Sequence, residues 1–120
     1  MRTKSVSFPF SVADTSAGPV IQWENGQLTV GFSDYREVPC RVVFDEVSHF
    51  EWLVEDELDS RVFAYDGIVE VIDSPLIARL VEIGEMTSET RGQFRHLVIG
   101  FNEVSAYLVV VCRAFKVAGQ

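Results

Sequence analysis

The sequence predicts a single α+β domain: a curved, mostly antiparallel sheet of about six or seven strands with one principal helix packed on one face. Three observations lead there. Asn25-Gly26 and Asp66-Gly67 are turn dipeptides set between alternating apolar residues, Ser74-Pro75 opens a run of helical period, and Ala106–Cys112 is apolar at every position. At 120 residues the length suits one domain. The expected division is an irregular N-terminal segment over 1–18, rich in Ser and Thr and carrying Pro9 and Gly18, followed by the domain over 19–120.

The first hairpin follows from its turn. A two-residue loop at Asn25-Gly26 sets Trp23 opposite Leu28 and Ile21 opposite Val30, with Gln22 facing Thr29 and Glu24 facing Gln27 on the other side. One face is apolar and the other polar, the pattern of a half-buried antiparallel pair. The segment 41–55 comes next and is too long for an average straight strand. Its stretch Phe44-Asp45-Glu46-Val47-Ser48-His49-Phe50 matches Phe101-Asn102-Glu103-Val104-Ser105-Ala106-Tyr107 in Phe, Glu, Val and Ser. We read both as a local device, a polar bend that reverses or bulges a strand between two apolar arms.

Asp66-Gly67 predicts a second hairpin with arms 61–65 and 68–73, apolar on both faces and therefore nearer the centre of the sheet. In the helix that follows, Ser74 is the N-cap and Pro75 the first helical residue, where its missing N–H costs nothing. Leu76, Leu80 and Ile83, with Ile77 and Val81 beside them, form its apolar stripe, and Gly84 ends it. The polar stretch 85–93 reads as an exposed loop. Segments 94–101 and 107–117 then form a third hairpin, whose second arm is central and covered by the helix.

Charge and composition exclude several functions. The net charge of -8 opposes a polyanion, so nucleic acid is not an expected ligand. No apolar run approaches the roughly 18–20 residues that span a bilayer. The N-terminus has no apolar core of the secretory type, and the expected location is cytoplasmic. Cys40 and Cys112 have neither metal-ligand spacing nor numbers for a disulfide framework, and both read as buried free thiols. No metal or cofactor is expected.

Catalytic signatures are equally scarce: GxSxG, HExxH, phosphate-loop, GxGxxG and EF-hand patterns are all missing from the sequence. His49 and His96, the two histidines, are candidates for the polar group of a pocket between sheet and helix. Arg91, Arg95 and His96 cluster around Gly92 and could meet an anion or compensate nearby acids. Trp23 and Trp52 could stack on a ligand, although aromatic residues in alternating strands usually belong to the core.

The placement of acid is the most informative charge feature. Residues 45–73 hold ten acids against one base, a local charge of −9, and the rest of the chain sums to +1. The densest part is Glu55-Asp56-Glu57-Leu58-Asp59, directly after Glu51 and Trp52. A field of one sign steers a basic protein and raises its association rate by about 10 to 10³-fold.

The stretch 44–50, the helix after Ser74-Pro75, and the closing apolar strands through His96-Leu97-Val98-Ile99-Gly100-Phe101 and Val109-Val110-Val111-Cys112 resemble small uncharacterised bacterial proteins. Some of these resemble immunity partners of secreted toxins. The resemblance covers about residues 40–117. It implies a toxin inhibitor, and it carries over no functional residue.

The expected function is thus a non-enzymatic protein-interaction module whose acidic residues Glu51, Glu55, Asp56, Glu57 and Asp59 meet a basic protein partner. The alternative is a small-molecule-binding protein or small enzyme using His49 or His96 in a sheet–helix pocket. Long apolar strands leave edges that must be covered or paired, so a homodimer is a further expectation.

Overall fold

A computed structural model of the chain describes residues 2–6, 19–33, 37–54, 68–101 and 106–118. Among these, nine strands form two antiparallel sheets. In chain order they are β1 (Arg2–Val6), β2 (Val20–Glu24), β3 (Gln27–Ser33), β4 (Pro39–Asp45), β5 (His49–Val54), β6 (Ile68–Ile72), β7 (Arg95–Phe101), β8 (Ala106–Cys112) and β9 (Ala114–Ala118). One sheet has the order β1-β6-β7-β8-β5 and the other β2-β3-β4-β9. The helix α1 spans Pro75–Glu82, and a 3-10 turn covers Arg91–Gln93.

The α+β character and antiparallel pairing agree with expectation, but a single sheet of six or seven strands does not. The reason is a corner. The long segment 41–55 is two strands, β4 in one sheet and β5 in the other, and 107–117 divides in the same way into β8 and β9. Asp45 pairs with Ala114, and His49 with Val111, so three residues (Glu46, Val47, Ser48) on one side face two (Cys112, Arg113) on the other. One surplus residue makes a bulge, which bends a strand pair and lets it pass from one sheet to the next.

Hydrogen bonds hold that corner. The Ser48 amide donates to the Val111 carbonyl at 2.8 Å, the Arg113 amide to Asp45 at 3.3 Å, and the Val47 amide to Gly26 at 3.0 Å. Glu46 adopts φ 51°, the left-handed region that costs an L-residue roughly 1–2 kcal/mol. The expected polar bend is therefore present at 44–50. Its sequence counterpart differs: Phe101 pairs directly with Ala106 across the β7–β8 hairpin, and 102–105 lie outside the described residues.

The first hairpin has the predicted register, Ile21–Val30 and Trp23–Leu28, around Asn25 and Gly26 at φ 51° and 77°. In the third, Val98 faces Val109 and Gly100 faces Tyr107, and β8 is buried along its whole length between β7 and β5. For the second hairpin, β6 is a strand whose two edges pair with β1 and β7; its turn and its other arm, 61–67, lie outside the described residues. The segment expected to be irregular contains β1, whose residues 2–6 pair with 72–68; residues 7–18 lie outside the described set.

The main core lies between the sheets. Leu28, Val30, Val42 and Phe44 of one sheet meet Leu97, Ile99, Phe101, Leu108 and Val110 of the other, all fully buried. On the opposite face of the larger sheet, α1 seats Ile77 and Leu80, together with Met86, against Val111. Ile83, expected on this stripe, is exposed, because the helix has already ended there. Gly84 (φ 85°) donates to Val81 at 3.2 Å and Glu85 to Leu80 at 2.9 Å, the paired bonds of a Schellman C-terminus. Met86 then anchors a loop otherwise mostly exposed over 85–93.

Candidate functional site

The two histidines share one face of the larger sheet. His96 on β7 and His49 on β5 both pair with Val111 of β8, so they flank it in one row. Two strand spacings separate their backbones, about 9–10 Å. They do not meet, because Val111 and the helix residues packed on it stand between them.

His96 is 9% exposed, and its Nδ1 lies 2.6 Å from the Ser74 hydroxyl. Burial pushes its imidazole down to about 4, with repulsion from His49 adding to the effect. It is neutral at pH 7. Ser74 Oγ also accepts the Ile77 amide hydrogen at 3.1 Å. One buried serine thus caps the helix and holds the His96 ring. His49 is half-buried, with Nε2 3.4 Å from Glu51 Oε1 and without a hydrogen-bond partner.

A concavity of about 270 Å³ lies beside His96. It occupies a fork: the β6–β7 ladder stops at the Val71–His96 pair, after which one chain turns into α1 and the other comes from the 3-10 turn. Ser74, Ile77, Phe94, Arg91 and His96 line it, with Glu70 and Asp73. His49 does not. Among the described residues, His96 stands in the wall of this sheet–helix concavity.

The acids of 45–73 divide on folding. Glu55, Asp56, Glu57 and Asp59 lie outside the described residues, as does Asp66. The described acids do not share a face: Glu51 stands opposite Val109 and Glu70 opposite Leu97, on opposite sides of one sheet. Most have local partners. Glu70 receives two hydrogen bonds from Arg95, at 2.7 and 3.3 Å, and has Lys4 at 3.7 Å. These cations hold its carboxyl below the ordinary range despite its burial, chiefly through the Arg95 bonds. Asp73 pairs with Arg2 at 2.5 Å, Glu46 with Arg113 at 3.4 Å, and Asp45 accepts from Gln27 at 2.8 Å. The cluster of Arg91, Arg95 and His96 also separates, since Arg95 lies on the inner face over the Phe115 ring at 5.0 Å.

Both cysteines are buried free thiols. Burial pushes Cys112 up to about 12, only partly offset by Arg95, so it is no nucleophile at neutral pH. Among the described residues no group of three His, Cys, Asp or Glu side chains is placed to hold a metal ion, and no helix is long and apolar enough to cross a membrane.

A surface that the sequence reading assigned to the core is exposed instead. Trp23 is 48% accessible, Trp52 41% and Phe50 37%. Trp23 and Phe50 are in contact, their centroids 5.1 Å apart; Trp52 stacks on buried Phe101 at 5.9 Å. Trp23 does lie on the apolar face of its hairpin, but β2 ends its sheet and β5 ends the other, so both faces run out into solvent. The signal was Phe50-Glu51-Trp52: aromatic residues at alternate positions of a strand that runs straight into acid.

No family model matches this chain, and no curated protein does. Among solved structures, a crystal structure of an uncharacterized protein from Neisseria gonorrhoeae is similar with a TM-score of 0.49 and 9% identity, covering 100% of each chain.

Proposed function

We propose that this chain is a non-enzymatic protein-interaction module, with Trp23, Phe50 and Trp52 as its contact surface and a basic protein as its partner. The observation that carries this reading is the exposure of three large aromatic side chains on the adjoining end strands of two sheets. Exposed aromatic clusters mark recognition surfaces, and tryptophan is over-represented among the residues that dominate binding energy. Glu51 and Glu24 alternate with these aromatic residues along β5 and β2 and so point to the other faces, while Glu55, Asp56, Glu57 and Asp59 come immediately after β5 in the chain. Acid adjoining an apolar centre favours a partner of opposite charge. The resemblance to immunity partners makes a basic toxin the first partner to try.

The chemistry of the remaining groups supports binding over catalysis. The Ser74 hydroxyl is committed to two hydrogen bonds, to the Ile77 amide and to Nδ1 of His96. Affinity capture with the wild-type chain, Trp23→Ser/Trp52→Ser, and a variant with Glu55, Asp56, Glu57 and Asp59 neutralised tests the reading. The wild type should retain a basic protein that added salt weakens, and each variant should lose it. Retention indifferent to both sets of substitutions, or no retained protein, overturns it.

A further inference from the structure

We propose that the fork between β6, β7 and α1 is a binding site for a small organic monocarboxylate, independent of the aromatic surface. Four observations converge on it. The cavity, about 270 Å³, lies at the small end of ligand pockets, which run from roughly 300 Å³ upward, so it suits a compact molecule. Its wall has an apolar part, Ile77, Val71 and Phe94, for the body of such an acid.

The carboxylates in its lining are already paired. They are Glu70 and Asp73, and these hold Arg95, Lys4 and Arg2. Arg91 also lines the cavity and makes no ion pair among the described residues. Arg95 and Lys4 meet Glu70 on the inner face of the sheet and Arg2 meets Asp73, and none of these three cations lines the cavity itself. Arg91 is the one whose charge is unspent, and its planar fork of donors matches a carboxylate.

The histidine in the wall is buried and neutral, its Nδ1 held by the Ser74 hydroxyl, and it brings no competing charge to the cavity. The helix terminus adds little: Pro75 has no N–H, and the Ile77 and Ala78 amides already bond to Ser74. Recognition thus rests on Arg91, with the apolar wall selecting the body.

Amide NMR titration of the whole chain tests this with propionate, propionamide as the uncharged isostere, and sodium chloride at matched ionic strength. Propionate should give saturable shifts at Gly92, Phe94 and His96 with a millimolar Kd; propionamide and chloride should not. Arg91→Met, at an exposed position, should weaken propionate at least tenfold while the remaining spectrum is unchanged, and Trp52→Ser should leave it unaltered. Equal shifts with propionamide, shifts reproduced by chloride, an unaltered Arg91→Met affinity, or no saturable shift each overturn the proposal. Loss of partner capture by Trp52→Ser with propionate binding intact separates this site from the aromatic one.

Discussion

The hydroxyl of Ser74 lies 2.6 Å from Nδ1 of His96 and accepts the amide hydrogen of Ile77 at 3.1 Å. This one side chain ties the first turn of the helix to the sheet beneath it. Replacing Ser74 with Ala removes an N-cap, worth about 1 kcal/mol, and leaves a buried ring nitrogen unpaired, a further cost of about 1–3 kcal/mol. Urea unfolding of Ser74→Ala should show a loss of about 2–4 kcal/mol, with Ser74→Thr keeping most of the stability. A loss of only about 1 kcal/mol, that of the cap alone, would mean that the bond to His96 contributes nothing.

The same contact sets a pH dependence. The folded-state pKa of His96 is lowered from 6.5 to about 4, so below pH 6.5 the unfolded chain takes up a proton that the folded chain refuses. Stability is complete above that pH and falls as the pH drops through the interval down to about 4, by up to about 3 kcal/mol. Glu70 loses its contribution only below its ordinary 4.5, so the upper part of the interval belongs to the histidine. Thermal unfolding of His96→Gln between pH 6.5 and 4.5 should be nearly flat where the wild type slopes.

Arg95 and Glu70 form a two-pronged pair in which the Glu70 side chain is only 13% exposed. A double-mutant cycle with Arg95→Met and Glu70→Gln should give a coupling of about 1 kcal/mol, discounted for the part of Arg95 in solvent. The Arg95 single variant should be the more damaging one, since it strands a partly buried carboxylate with Lys4 alone.

At the corner, Glu46 holds φ 51°. Glycine reaches that conformation freely and a β-branched residue does not. Chemical denaturation should show Glu46→Gly within about 1 kcal/mol of wild type and Glu46→Val destabilised by more than about 1 kcal/mol. If the two behave alike, the left-handed residue is not what sets the bulge.

Both thiols should resist a bulky disulfide reagent in the native protein and react in urea, because Cys40 and Cys112 lie between the sheets and Cys112 is held protonated. Rapid native labelling of either would contradict that packing.

What could be read from the sequence is what neighbours along the chain decide. Asn25-Gly26 imposes positive φ and so sets the register of Trp23 on Leu28, and Ser74-Pro75 and Gly84 bound a helix whose ends depend on residues within a turn of them. The bend at 44–50 was visible because a bulge is a local surplus of one residue. The partition into two sheets was not, because alternation continues through a bulge and does not record which sheet an arm joins. Charge behaved likewise. Ten acids in 45–73 form a block in sequence, yet Glu70 and Asp73 find Arg95, Lys4 and Arg2 from distant segments, and Glu51 stands on the opposite face of their sheet from Glu70.

The sequence by itself determined the antiparallel class, the turn at Asn25-Gly26, the helix and its caps, and the pairing of apolar faces in the first hairpin, all consequences of short-range φ preference and periodicity. The tertiary structure alone decided that Trp23, Phe50 and Trp52 emerge at an edge, that His96 lines a cavity whose wall does not include His49, and that Arg91 stands without an ion pair among the described residues. Those outcomes depend on which segments pack together, and exposure, desolvation and charge pairing are properties of that packing.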